Sequence, residues 1–501
     1  MDQPNRIWVT TSKGVFGLAK KGDTWEGHGV RITTDDKGTI TLEASDDPIF
    51  QIEATYNHGI PEGAMVMGDD WERSYGTLHW GEYDYSRVLP WYFAAHHDHQ
   101  TTCWGVNTGC RALAHWRAGV EMVRLILDVR SGSRPLLLTG RSIELATVYG
   151  FEGGDPHPTL HTFLKTLCPK PRLADKPVYG ANDWYYAYGN NTAKVILEDS
   201  KRVSDLSESP NRPFSVIDDG WQLPPGTSGG QWTGGNQRFG DMPDLAHKMK
   251  ELGCRPGIWM RPLYSAETHP ESWFMAKDTL DPSNKDVLGK VFDDVHRLHV
   301  WGYELIKHDY STFDVTSQWG FSFTDGMGSK GRTFADQSRT TAEILLDLYQ
   351  TIRRAAGDSL IIGCNTVGHL TAGLFELQRT GDDTSGREWP RTVKMGVNTL
   401  AFRGVQEGAF FGADADCVGI TTDVPWEKTK MWLELVSRSG TPLFVSAQQK
   451  AVGPDQLSAL RDAFSIAAIN TRLGEPIDWM TNRQPQKWNL GGVPVNFDWW
   501  G

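Results

Sequence analysis

The chain has 501 residues, 39% of them hydrophobic and 11% aromatic, enough to bury a large core. Lys and Arg number 50 against 62 Asp and Glu, a formal charge of −12, which argues against nucleic acid as the main partner because phosphate contacts need a basic surface. No run approaches the ~18 apolar residues of a membrane helix, and the opening "MDQPNRIWVTTSKG" has no basic start followed by an apolar stretch, so no membrane contact and a cytoplasmic location are expected.

Residues 1–170 read as an N-terminal β-rich domain. "RIWVTTSKGVFGL" alternates, "KGTITLEA" is a short strand, and "VRLILDVRSGSRPLLLTGRSIELATVYG" reads as strands broken by Gly and Pro turns. No stretch here shows a long helical period. "HHDH" (His96 to His99) reads as a solvated or structural loop in preference to a metal site, because no second cluster stands at ligand spacing. The six cysteines form no C-x-x-C pair, so free thiols are expected. "CPKPRLADKP", with three prolines, reads as a linker.

Over residues 171–450 short apolar strands alternate with helical stretches. Eight strands are predicted: "PVYGANDW", "PFSVIDDGW", "CRPGIWM", "YELIKHD", "SLIIGCN", "FELQRTGDD", "GAFFGADAD" and "TPLFVSA". Between them lie helices such as "DMPDLAHKMKELG" and "DQSRTTAEILLDLYQTIRRAAG". Eight β/α units in roughly 270 residues fit a (β/α)8 barrel. A doubly wound sheet would need a Gly-rich phosphate turn after its first strand, and "GANDWYYAYG" is too aromatic for that. Residues 451–501 hold a last helix, "GPDQLSALRDAFSIAAINTRLG", and a short C-terminal segment.

Several predicted strands end in polar residues: Asp218, Asp219 and Trp221 on the second, Lys307 and Asp309 on the fourth, Cys364 and Asn365 on the fifth, Arg379, Asp382 and Asp383 on the sixth, Asp414 and Asp416 on the seventh. In a barrel those ends open on one face, so the carboxylates converge. A single Asp at a strand end more often caps the next helix; five strands together point to a pocket. Signatures of a metalloprotease, a phosphate loop or a serine nucleophile are missing. Paired carboxylates with aromatics suit glycoside hydrolysis, and the 21 tryptophans suit either core packing or the flat faces of sugars. Lys307 and Asp309, two apart, share a strand face, and such a pair is expected to keep a nucleophilic carboxylate ionised.

These motifs resemble those of the melibiase-type α-galactosidases and α-N-acetylgalactosaminidases, glycoside hydrolase clan D, families 27 and 36. "GANDW" is similar to the clan's first-strand motif, "VIDDGWQ" to its second, "FGDMPDLAHKMKELGCRPGIW" to the approach to its third, "IKHD" to the nucleophile motif, "RTGDD" to the acid/base motif and "GADADC" to its seventh-strand motif. A β-rich region ahead of the barrel is closer to family 36. The resemblance implies a retaining α-glycosidase, foremost an α-galactosidase, with Asp309 as nucleophile and Asp383 as acid/base, Asp382 being the rival. It implies that Asp218 and Asp219 bind the C4 and C6 hydroxyls, that Lys307 lies between substrate and nucleophile, and that Arg379, Cys364 and Asn365 lie on the C2 side. Trp184, Trp221 and Trp259 supply pocket walls. No metal or organic cofactor is implied, the partner is an oligosaccharide or α-glycoside, and a homo-oligomer stays open. The acid should sit in a drier or more acidic setting, supplied by Asp382, Asp414 and Asp416. Ala181, Arg261 and "GCNTVG" depart from the family's patterns near the C2 side and the rim. The alternatives are a transglycosylase of the raffinose-synthase kind, an α-glycosidase for N-acetylgalactosamine or arabinopyranose, and a non-catalytic sugar-binding barrel.

Overall fold

A computed structural model of the chain describes residues 3–224, 228–324, 326–327 and 331–501. The N-terminal region packs two antiparallel sheets, one of six strands and one of nine, face to face. Its strands alternate in burial, as in Arg6–Thr11, where Ile7, Val9 and Thr11 point inward. "HHDH" is the tip of a hairpin between Tyr92–His97 and Gln100–Val106, with Asp98 and His99 at φ of 46° and 66°. One element departs from the all-β expectation. Pro156–Leu167 is a helix, capped by Asp155, whose carboxylate accepts from His157 N at 3.2 Å. It buries Leu160, Phe163, Leu164 and Leu167 and packs on the strands Gln100–Val106 and Ile143–Gly153.

All eight strand regions predicted after the linker form strands of one curled parallel sheet. With an unpredicted ninth, Val418–Ile420, the strands in chain order are β1 (Tyr179–Asn182), β2 (Phe214–Ile217), β3 (Arg255–Met260), β4 (Leu305–His308), β5 (Leu360–Gly363), β6 (Leu377–Arg379), β7 (Gly412–Asp414), β8 (Val418–Ile420) and β9 (Leu443–Ala447). The sheet runs β7-β6-β5-β4-β3-β2-β1-β9-β8. "GAFFGADAD" therefore contributes only β7, and Ala415, Asp416 and Cys417 alone separate it from β8 at the opposite edge of the sheet. β2 and β9 are buried along their whole length, as parallel strands covered on both faces must be.

Helices cover the outer face, and their ends follow from local sequence. Thr192, Asp241 and Asn284 each cap the helix that follows through a side-chain oxygen. Thr340 and Glu343 form a reciprocal capping box at the start of Thr341–Ala355. The last helix is Pro454–Ala467, shorter than its sequence pattern suggests, and a small three-stranded antiparallel sheet follows it. No helix among the described residues is long and apolar enough to cross a membrane.

The N-terminal region is spliced to the carboxyl end of β6. Ser74 N donates to Thr380 O at 2.8 Å and Asp382 N donates to Ser74 O at 2.7 Å, so Ser74 pairs beside Gly381 like one residue of a further strand. Arg403, itself buried, holds the same segment through Asp69 at 2.6 Å and bonds Thr380 O at 2.8 Å. A charge pair this buried needs good geometry and extra hydrogen bonds to avoid destabilising the fold, and Arg403 has both.

Candidate active site

The strand ends converge on a cavity of about 330 Å³ at the carboxyl end of the sheet. Of the residues predicted for the site, Trp184, Asp218, Asp219, Trp259, Lys307, Asp309, Cys364 and Asp383 line it. Three do not. Trp221 is fully buried behind the wall and its indole donates to Trp259 O at 2.9 Å, so it supports a wall residue without forming one. Asn365 turns its amide away from the cavity into the Glu72 carboxylate. Arg379 lies beneath the floor, 2% exposed, and reaches upward to Asp383.

β2 ends at Ile217, and the chain then turns so that both adjacent carboxylates, Asp218 and Asp219, reach the cavity. Gly220 makes that turn at φ 122°; a Cβ there would meet Asn191 Oδ1 at 2.5 Å and Gly189 O at 2.7 Å. Gly220→Ala is expected to cost roughly 1–3 kcal/mol, read as a lower Tm, and an unchanged Tm would show that this turn is not strained. Asp218 Oδ2 accepts from Lys307 Nζ at 2.6 Å and from Asn182 Nδ2 at 2.7 Å, and Asp218 Oδ1 accepts from Asp219 N at 2.9 Å. Burial, with help from the charges of Asp218 and Asp309, pushes the Asp219 carboxyl up to about 6.

The Lys307–Asp309 pair expected from their spacing is not formed. Lys307 makes its ion pair at 2.6 Å with Asp218, which follows the end of β2 as Asp309 follows the end of β4. Asp309 is instead held by three donors: Tyr310 N at 2.8 Å and Asn365 N at 3.0 Å on Oδ1, and Trp259 Nε1 at 3.0 Å on Oδ2. Burial alone would raise this carboxyl, but the charges of Lys307 and Arg73 and the Trp259 hydrogen bond outweigh it and hold it below the ordinary range.

Asp383 contradicts the expected acidic setting in the same way. Burial would raise it, but Arg379 at 3.2 Å, Arg73 at 3.7 Å and the charge of Lys307 hold it below the ordinary range. Asp416 does not crowd it. It pairs with Arg379 at 2.9 Å and accepts from Thr384 N at 2.8 Å, while Asp414 lies buried below. Asp382 is bound by Arg391 at 2.9 Å and by Arg73 at 3.3 Å.

Six further residues at the cavity escaped the sequence reading: Arg73, Tyr75, Tyr310, Trp319, Phe321 and Arg391. Arg73 and Tyr75 come from the N-terminal region. Glu72, next to Arg73 in the chain, accepts from Tyr75 Oη, from Asn365 Nδ2 and from Gly320 N at 2.9 Å, tying three segments together behind the pocket. Phe321 is 68% exposed at the mouth, edge-on to Tyr75 at 5.1 Å. Arg261, which departs from the family pattern, pairs with Asp314 behind Tyr310 and does not line the cavity. The described residues hold no group of His, Cys, Asp or Glu arranged for a metal ion.

The chain is similar along most of its length to α-galactosidases of known structure. It superposes on an α-galactosidase from Thermus thermophilus, in complex with p-nitrophenyl α-D-galactopyranoside, with a TM-score of 0.62 at 16% identity, over 98% of this chain and 99% of that one. A family 36 α-galactosidase variant from Geobacillus stearothermophilus, in complex with 1-deoxygalactonojirimycin, gives a TM-score of 0.64 at 13% identity, over 97% of this chain and 79% of that one. The chain has the fold of the family 36 α-galactosidases. No family model matches its sequence. The superposition takes in the β-rich region as well as the parallel sheet.

Proposed function

We propose that this protein is a retaining α-glycoside hydrolase, most simply an α-galactosidase, and that its sheet closes through the split seventh strand into a (β/α)8 barrel. The observation that carries the reading is the pairing of Asp309 and Asp383 at one cavity, near enough for each to feel the other's charge. Asp309 is the nucleophile: it is ionised, desolvated and fixed by three donors, with no proton to lose before attack. Asp383 protonates the leaving oxygen and then, as a carboxylate, draws the proton from water in the second displacement. The two carboxyl groups are expected to stand roughly 5–6 Å apart across the bound sugar, the spacing of double displacement. Asp218, Asp219 and Lys307 hold sugar hydroxyls, and the indoles of Trp184 and Trp259 cover the sugar's apolar faces. The fold neighbours in complex with p-nitrophenyl α-D-galactopyranoside and with 1-deoxygalactonojirimycin support galactose as the first sugar to try.

A second reading, transfer to a sugar acceptor, is favoured by the exposed Phe321 beside Trp319 at the mouth, a platform on which an acceptor ring can lie. A panel of nitrophenyl α-glycosides of galactose, N-acetylgalactosamine, glucose and arabinopyranose, with and without added sugar acceptor, tests both. Release of nitrophenol and free galactose is expected; a new glycoside as main product would favour transfer, and no turnover of any member would remove the enzyme reading.

A further inference from the structure

Among the described residues, Arg73 is the one cation lining the cavity that the N-terminal region supplies. Its backbone position is rigid, because Ser74 is stitched between Thr380 and Asp382 and Asp69 is held by Arg403. Its head group is less tightly bound. The guanidinium is buried, packed near the rings of Trp319 at 5.5 Å and Tyr75 at 6.0 Å, and Nε has no hydrogen-bond partner among the described residues. Its polar contacts at the cavity are two ion pairs, with Asp382 at 3.3 Å and with Asp383 at 3.7 Å. These are the two adjacent carboxylates that compete for the acid/base role.

The two are not equivalent. The side chain of Asp382 is 18% exposed and bridges Arg73 and Arg391, one arginine on each oxygen. The side chain of Asp383 is 38% exposed and lines the cavity, with Arg379 as its hydrogen-bond donor. We infer that Arg73 is a positioning residue: with Arg391 it clamps Asp382 as a structural anion, and with its remaining charge it sets how readily Asp383 takes up the proton that catalysis requires. The inference rests on the glycosidase reading above. It also explains why a carboxyl partly withdrawn from water is held low instead of high. Arg379, Arg73 and Lys307 face Asp383, against Asp309, Asp382 and the phenols of Tyr185 and Tyr310.

The sign follows from the chemistry. Productive free enzyme carries Asp309 ionised and Asp383 protonated, so the alkaline limb of kcat/KM reports the upper pKa of the interacting pair, and the Arg73 charge, which faces both carboxyls, holds that limb down. Removing an opposite charge raises a carboxyl pKa. In Arg73→Met the alkaline limb should move up by roughly one pH unit, while Arg73→Lys, which keeps a charge, should stay near the parent. In Asp382→Asn, Arg73 loses the closer of its two ion pairs and Asp383 loses a like charge, so the limb should move down. A purely structural role would lower activity at all pH values without moving the limb. An Arg73→Met protein that is folded by calorimetry and keeps the parent limb overturns the inference, as does an Arg73→Lys limb that moves with Arg73→Met. A second measurement is independent of turnover. With [4-13C]aspartate labelling and Asp383→Asn for assignment, the NMR titration midpoint of Asp383 should rise in Arg73→Met, and an unmoved midpoint overturns the inference even if every glycoside in the panel proves inert. Inert glycosides together with a raised midpoint would instead remove the glycosidase reading and leave the electrostatic role of Arg73 standing.

Discussion

Asp309→Asn should lower kcat on an α-galactoside by roughly 10⁴-fold or more, the scale on which losing a nucleophile acts, while the fold stays intact. The backbone donors explain why the fold survives. Tyr310 N and Asn365 N both donate to Oδ1, and an amide oxygen can accept from both. Only the Trp259 bond to Oδ2 is lost, since an amide nitrogen offers that indole no acceptor. Lys307 keeps its partner, because its ion pair is with Asp218. A Tm within a few degrees of the parent is the expected control. Stereochemistry gives a second, sharper readout. In Asp309→Gly the vacated face admits azide, and one direct displacement on an α-galactoside should give the β-galactosyl azide. Near-normal turnover in Asp309→Asn, or an α-configured azide from Asp309→Gly, would remove Asp309 from the nucleophile's role.

The parallel strands were legible because each is a short apolar run that ends in polar residues, the signature of a strand buried on both faces with its carboxyl end at a site. The split of the seventh strand was not. "GAFFGADADC" reads as one run, and the break appears only because Asp416, at φ 82°, turns inward to Arg379. The helix Pro156–Leu167 was masked by its composition: two prolines, two histidines and three threonines obscure an apolar face spaced at Leu160, Phe163, Leu164 and Leu167. Trp221 was misplaced because its neighbours in the motif do face the cavity, and only the Gly220 turn sends the indole behind the wall. The electrostatics were least legible. The sequence shows Asp382 beside Asp383 and suggests an acidic setting; of the cations that reverse it, Arg379 stands in the same motif, but Arg73 and Lys307 come from other segments of the chain. Arg73 sits in "DDWERSYG", charged and aromatic at once within a β-rich region, which is the only local sign that this stretch leaves its own sheets.

α-Galactosides should be turned over at least about a hundredfold faster, in kcat/KM, than α-glucosides, because the two sugars differ only in the configuration of the C4 hydroxyl, which the proposed reading assigns to the Asp218–Asp219 pair. Two carboxylates and the Lys307 ammonium form one connected, buried patch, with Asp218 already accepting from Lys307, Asn182 and the Asp219 backbone. A hydroxyl that reaches this patch gains charge-assisted bonds. One that points elsewhere leaves buried acceptors without the water they gave up, which costs several kcal/mol. The residue to change is Asp219 and not Asp218. Truncating Asp218 would strand the buried Lys307 charge and disturb the pocket beyond the contact being tested. Asp219 is bound by Gln222 Nε2 at 2.6 Å and by the Ser228 side chain, and takes no part in the Lys307 pair, so Asp219→Asn removes an acceptor while leaving that ion pair in place. It should lower kcat/KM for the galactoside by roughly ten- to a hundredfold and the value for the glucoside far less, narrowing the ratio from one side. Because the Asp219 carboxyl is pushed up to about 6, parent galactose affinity should also weaken as the pH falls through that value and the acceptor becomes protonated, a dependence that Asp219→Asn should lose. Equal kcat/KM for the two sugars in the parent, or an Asp219→Asn variant whose galactose-to-glucose ratio is unchanged, would mean that C4 is read elsewhere in the cavity.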